Sequence, residues 1–299
     1  MTISNKVIDR NNSPGCFSFK YPSETESITR FSLIEDKCGT CDFCFYQWFV
    51  GYTDGDGCFS IYVNNITNKI NLTYKLSQSS NNIQVLHFMK KRLGVGHIRS
   101  DKLGMSHYLI RDKVSLYKII IPLFNHFSLK TSKYVDFLKF KHSLFIYLND
   151  SLTQKNKISL IENIKNSDIY NKELNRIINL TKSWIVGFIE AEGSFYLVEK
   201  EKNKRIVHGF GLTLKKDLVV LEELRSILQI KATIRWNNNG FYSLDSTNYL
   251  DLKFIKNFFF KTMKSRKSLI YRLWARSFRD RGKYSKLKTI KSSLNRMKV

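Results

Sequence analysis

One stretch of the chain occurs twice, and it constrains the fold more than any other feature. The copies are WFVGYTDGDGCF (Trp48–Phe59) and WIVGFIEAEGSF (Trp184–Phe195). The same separation relates Trp48 to Trp184, Gly51 to Gly187, Asp56 to Glu192, Gly57 to Gly193 and Phe59 to Phe195. A duplication sets the architecture before weaker signals are weighed. Two copies are too few for a solenoid, so the chain reads as two similar domains.

Each copy reads as the end of a buried helix running into a strand. Trp48, Phe49, Val50 and Tyr52 suit a helix interior, and Gly57 and Gly193 suit the position past its C-terminus. Gly51 and Gly55 share one helix face, as do Gly187 and Ala191. Small residues there permit a close helix–helix approach. If the copies pack on that face, Asp56 and Glu192 arrive side by side at the ends of the pair. Two carboxylates there face the negative ends of the helix dipoles and repel each other. A divalent cation relieves both problems, and a set of hard oxygen donors suits Mg²⁺. Taken singly, either copy could be an amphipathic helix with a solvated acid at its end. The repetition of Trp, Gly, acid and Phe at one separation argues against that.

At FVGYTDGDG (Phe49–Gly57) and IVGFIEAEG (Ile185–Gly193) the chain resembles the LAGLIDADG homing endonucleases, single-chain two-motif type. The second motif is similar to fungal mitochondrial members that also act as intron maturases. Phe49 and Tyr52 replace the family's leucines but stay apolar. The resemblance covers about residues 43–280. It implies an α+β fold of two pseudo-symmetric αββαββα domains, with antiparallel sheets forming a DNA-binding saddle. It implies that Asp56 and Glu192 bind two or more Mg²⁺ ions, with the Gly55 and Ala191 carbonyls as further donors. It implies a catalytic role for the lysine opening the last helix of each half. These are Lys133 and Lys267, whose separation is two residues shorter than that of the motifs. Gln78 ends the second strand, where the family places a polar residue in the water network. Its counterpart in the second half is Leu214 or Lys215, so the two centres are expected to be chemically unequal. Asp54 and Glu190 are expected to support the helix ends instead of binding metal.

The 299 residues carry 50 Lys and Arg against 25 Asp and Glu, a formal charge of +25 with the six His neutral. This excess calls for a polyanionic partner, nucleic acid first and an anionic membrane surface second. No apolar run reaches the length of a membrane span. The first residues lack the apolar core of a signal peptide, and Asp9 makes them a poor mitochondrial presequence. The wealth of Lys, Asn, Ile, Phe and Tyr suits an AT-rich organellar genome. Cys38, Cys41 and Cys44 form a CxxCxxC run without an evident fourth ligand, so reduced, partly buried thiols are expected. The histidines show no metal spacing, and no Ser-His-Asp set or Walker loop stands out.

In order, residues 1–42 read as an irregular extension, 43–150 as the first domain and 151–182 as a linker with helix at Ile158–Ile164 and Glu173–Leu180. Residues 183–280 read as the second domain and 281–299 as a basic, fraying tail. Alternation places Phe59, Ile61, Val63, Ile70, Leu72, Tyr74 and Leu76 in the core. The opposite face then carries Ser60, Tyr62, Asn64, Lys69, Asn71, Thr73, Lys75 and Ser77, joined by Arg99 from a third strand. Such a β-ribbon can enter the major groove and reach base edges and phosphates. The second half offers Tyr196, Lys200, Lys204, Arg205, Thr213, Lys215 and Arg235, with its third strand at Ile230–Trp236. Pro122 is expected to kink or shorten the helix Val114–Phe127. The reading is a monomeric, Mg²⁺-dependent endonuclease cutting an asymmetric DNA target to short 3′ overhangs. The rival is an intron RNA maturase, alone or in addition. Mitochondrial location follows from the resemblance.

Overall fold

Apolar periodicity switches from helical to alternating at each motif, and the computed structural model shows a helix running directly into a strand at both places. The structure describes residues 41–174, 179–201 and 205–298, which belong to one compact unit spanning 39–299. The first half runs α1 (Asp42–Asp56), β1 (Gly57–Asn64), β2 (Lys69–Ser79), α2 (Ile83–Leu93), β3 (His97–Ser100) and β4 (Met105–Ile110). The helical segments Lys113–Ser115, Leu116–Ile120 and Ile121–His126 follow as a continuous α3, and then come α4 (Lys133–Leu148) and α5 (Gln154–Asn166). The second half repeats the plan. It has α6 (Lys182–Glu192), β5 (Ser194–Lys200), β6 (Arg205–Leu214), α7 (Leu218–Ile227), β7 (Arg235–Asn237) and β8 (Phe241–Ser246). It ends with α8 (Tyr249–Phe258), α9 (Lys267–Arg276) and α10 (Tyr284–Lys298). Each half holds an antiparallel four-stranded sheet, ordered β1-β2-β4-β3 and β5-β6-β8-β7. This is the α+β duplication that the repeated motif implies.

The two motif helices cross at their glycines. A Cβ on Gly51 would lie 2.0 Å from the Trp184 carbonyl oxygen, and one on Gly187 would lie 2.0 Å from that of Trp48. Backbone therefore touches backbone at two symmetric points. The tryptophans are fully buried at the crossing, and each donates across it. Trp48 Nε1 reaches Glu190 at 2.5 Å and Trp184 Nε1 reaches Asp54 at 2.8 Å. These acids are sealed in the interior and reach backbone N–H groups of their own half. Asp54 accepts from Lys130 and Thr131, Glu190 from Lys264 and Ser265. Burial pushes both carboxyls upward, while the ring of donors opposes it. The last motif residue anchors each core: Phe59 among Tyr74, Phe124, Phe137 and Phe140, and Phe195 among Phe210, Phe259, Tyr271 and Trp274.

Several expectations change. Gly57 and Gly193 stand just past their helices as expected, and both are extended (φ −76° and −71°). Glycine is needed there because a Cβ would strike Thr53 or Ile189. The third strand of the second half is Arg235–Asn237, shorter than expected. Ile230 is drawn into the core and the Lys231 N–H donates to Asp251, so the preceding chain cannot join the sheet. The described part of the expected fraying tail is helical: α10 buries Leu287 and Leu294, and Glu199 accepts from Tyr284 while pairing with Lys291. The expected linker likewise holds the longer helix α5, which buries Ile158 and Ile161. Of the expected helix at Glu173–Leu180, residues 175–178 lie outside the described residues; 173–174 end a 3-10 turn, Ile169–Leu174, and 179–180 are irregular. A π turn, Leu116–Ile120, precedes Pro122, which has no N–H to give the regular ladder. Cys41 caps α1, its sulfur accepting from the Cys44 N–H at 3.3 Å, and Cys44 is buried. Cys38 lies outside the described residues.

His208, on the core side of β6, contacts Ser277 Oγ at 2.7 Å. Ser277 already donates its proton to the Trp274 carbonyl, so His208 Nε2 is the donor. Burial, with Arg281 and Lys256 nearby, lowers its pKa from 6.5 to about 4. The unfolded chain binds a proton here below its ordinary pKa, and the folded chain does so only near the lowered one. Stability is therefore lost as pH falls through that window, by roughly 3 kcal/mol at most. Chemical denaturation at neutral and mildly acid pH should show this loss, and His208→Gln should shrink it.

Candidate active site and nucleic-acid face

Asp56 and Glu192 are the last residues of α1 and α6, half-buried where the two helices end together. A Cβ on Gly55 would meet the Ala191 Cβ at 2.2 Å and the Glu192 Cγ at 3.3 Å, which gives the closeness of the two ends. Burial raises the carboxyl pKa of both acids, and the Asp56 charge raises that of Glu192 further. The Lys133 and Lys267 charges pull the other way, as does the hydrogen bond of Gln78 to Asp56.

Both lysines reach the helix ends. Lys133 Nζ donates to the carbonyls of Thr53 (3.3 Å) and Gly55. Lys267 Nζ donates to those of Ile189 (3.3 Å), Ala191 (3.1 Å) and Gly193 (2.6 Å). An ammonium at a helix C-terminus offsets the dipole that would otherwise disfavour the acids. The carbonyls expected as metal donors thus face ammonium groups. Each retains a second lone pair, so the contact does not exclude a further cation.

Gln78 Nε2 donates to Asp56 Oδ2 at 2.5 Å. Asn82 sets that orientation, donating from Nδ2 to Gln78 Oε1 at 2.7 Å and to the Tyr52 hydroxyl at 3.2 Å. Strand register settles the second-half counterpart. Cys58 pairs with Lys75 and Ser194 with Gly211, so Gln78 corresponds to Leu214. Asp56 has an amide partner from a position that in the second half carries an apolar residue.

The group expected here is a divalent cation. Two crowded carboxylates with raised pKa, beside carbonyls and cationic lysines, form a hard-oxygen donor set that fits Mg²⁺. Among the described residues no three His, Cys, Asp or Glu converge on one point. A cation would therefore rest on Asp56, Glu192, backbone oxygen and ligand oxygen.

The sheet faces follow the expected alternation. Ser60 opposes Thr73, Tyr62 opposes Asn71 and Asn64 opposes Lys69, with Lys75, Ser77 and Arg99 on the same side. Thr73 is buried and is the poorest candidate for contact. On the second sheet Tyr196, Lys200, Arg205, Thr213 and Arg235 share a face, and Lys215 lies just past β6. Lys204 lies outside the described residues. Two features of these faces were missed. His107 stands among them, touching Ser77 at 2.9 Å and Asp101 at 3.1 Å. Asp245 accepts from the Tyr196 hydroxyl at 3.1 Å and lies 3.7 Å from Arg235. Tyr196 lies flat on Gly209, where a Cβ would come within 2.2 Å of its ring.

The model of the LAGLIDADG endonuclease family matches residues 49–144 and 185–278, once in each half. The chain belongs to the LAGLIDADG endonuclease family. A relative in Schizosaccharomyces pombe, the probable intron-encoded endonuclease Cox1-I1b, is 36% identical over 287 residues, covering 91% of this chain and 73% of the relative. Probable intron-encoded endonuclease 4 of Neurospora crassa is 29% identical, covering 79% of this chain and 40% of the relative. The solved structure of the I-SmaMI LAGLIDADG homing endonuclease bound to cleaved DNA superposes with a TM-score of 0.74. It is 22% identical and covers 85% of this chain and 98% of that one. I-SmaMI bound to uncleaved DNA target in the presence of calcium ions superposes at 0.72, with 21% identity, covering 84% and 98%. These likenesses carry the fold, and the two LAGLIDADG motifs carry the family. No helix among the described residues is long and apolar enough to cross a membrane.

Proposed function

We propose that this LAGLIDADG protein is a site-specific double-strand DNA endonuclease that hydrolyses both strands with Mg²⁺. The observation that carries this reading is the convergence of Asp56 and Glu192 at one place, flanked by Lys133 and Lys267. When bound, two or more Mg²⁺ ions supply Lewis-acid polarisation of the phosphate and a more acidic attacking water. Asp56 and Glu192 hold the ions. Lys133 and Lys267 place positive charge where the phosphate gains negative charge. Gln78 orders the water side of Asp56. The two polar sheet faces differ in sequence, so the target is asymmetric and each half reads one half-site. One chain supplies both halves, which suits a monomer. The relatives' names, intron-encoded endonucleases and, for one from Saccharomyces cerevisiae, a mitochondrial protein, support intron homing in a mitochondrion.

Selection of cleaved molecules from a randomised duplex library in Mg²⁺ tests this. A long asymmetric site with short 3′ overhangs is expected, and sequence-independent degradation or blunt ends would contradict it. On that site, Lys133→Ala and Lys267→Ala should each slow cleavage by about 100-fold, read in single-turnover assays. Intron RNA binding and splicing assistance, the rival reading, needs neither carboxylate. Splicing that persists without the acids, in a chain that never cuts DNA, would favour it.

A further inference from the structure

Lys133 and Lys267 open α4 and α9, and neither helix is capped by the residue before it. Ser132 and Arg266 are themselves helical and make no side-chain cap. The Lys133 and Lys267 N–H groups donate within their own half, to Thr131 Oγ1 and Ser265 Oγ at 3.3 Å each, while the residues just before them reach across. The Ser132 N–H donates to Asp217 Oδ1 at 2.6 Å, and the Ser132 hydroxyl donates to Oδ2 at 3.1 Å. The Arg266 N–H donates to Asn82 Oδ1 at 2.9 Å. Asp217 directly precedes α7 and Asn82 directly precedes α2, equivalent places in the two halves. Each half therefore supplies an acceptor for the residue just before the lysine-bearing helix of the other. Asp217 holds this place with φ of +67°, a conformation disfavoured for most side chains and best tolerated by Asn and Asp.

We infer that Asp217 and Asn82 are positioning residues for cleavage, each placing the active-site lysine of the opposite half. The inference rests on the proposed role of Lys133 and Lys267. A lysine Nζ stands several bonds from its backbone, so a small shift of the helix start moves the ammonium off the motif carbonyls. The two caps differ in reach. Asp217 acts on Ser132 and hence Lys133. Asn82 also orients Gln78 against Asp56, so it touches both centres. Through these caps a lysine is in register only when the halves are docked, which ties both cuts to one assembled state.

The test is a double-mutant cycle on the selected target duplex, read as single-turnover rates for each separately labelled strand. Affinity in Ca²⁺ and melting temperature are measured on the same proteins. Asp217→Ala should slow cleavage about tenfold in the wild-type background and have no further effect once Lys133→Ala is present. Combined with Lys267→Ala it should keep its full effect. Asp217→Asn, which retains an acceptor and tolerates positive φ, should cut at the wild-type rate. Asn82→Asp keeps the acceptor for Arg266 but loses both Nδ2 contacts, so it should be slowed even with Lys267→Ala present. A merely structural cap would lower the rate by the same factor in every background. That outcome, or an unchanged rate in Asp217→Ala, overturns the inference. If Lys133→Ala and Lys267→Ala themselves leave both strand rates unchanged, the reading of the site fails, and the inference with it.

Discussion

Asp56→Asn and Glu192→Gln should each abolish cleavage of both strands, a loss of about 1,000-fold or more in single-turnover rate, while duplex binding in Ca²⁺ persists. Each change keeps the side-chain shape and removes one anionic oxygen donor. The fold should tolerate both, because the acids are half-buried at helix ends and repel each other; melting temperatures equal to or above wild type are expected. The same acids should give the rate its pH dependence. Burial raises both pKa values, and only the ionised carboxyl holds a cation. Cleavage should therefore fall as pH drops through values above the ordinary carboxylate range. Rates that are flat down to that ordinary range would show that the acids ionise freely.

Gly51→Ala and Gly187→Ala should be the most damaging glycine-to-alanine changes among the described residues. Each places a Cβ 2.0 Å from a backbone carbonyl oxygen of the partner helix, where no flexible side chain can yield. The helices must part, and Trp48 and Trp184 must shift their hydrogen bonds to Glu190 and Asp54. A cost of about 3 kcal/mol or more follows from overpacking with rigid neighbours. Denaturant titration checks this against Gly94→Ala. Gly94 has φ of +72° with open space around its Cβ, so its loss should reflect backbone strain alone and be smaller.

The motif helices, their crossing face and the paired acids were legible because the sequence states them twice. Period-two alternation was enough to assign Tyr62, Asn71 and Arg99 to one side of a sheet. What was not legible depends on contacts between distant residues. Nothing near Asp217 or Asn82 announces that they serve Ser132 and Arg266 in the opposite half. The burial of Thr73 and the commitment of Tyr196 to Asp245 likewise depend on neighbours from other strands. The last helix was misjudged because its polar composition hid two fully buried leucines, Leu287 and Leu294, seven residues apart on one face. The irregular start of the third strand in the second half was misjudged because Ile230 looks like a strand residue and is used as a core plug.

The central claim is that two acids from separate halves hold divalent ions against DNA. Anomalous scattering from Mn²⁺ in crystals of the protein bound to its selected duplex tests it most directly. Ion peaks are expected in bonding contact with the carboxylates of Asp56 and Glu192 and with phosphate oxygens. Peaks on the DNA that touch neither carboxylate, in crystals where the duplex lies along both sheets, would contradict it.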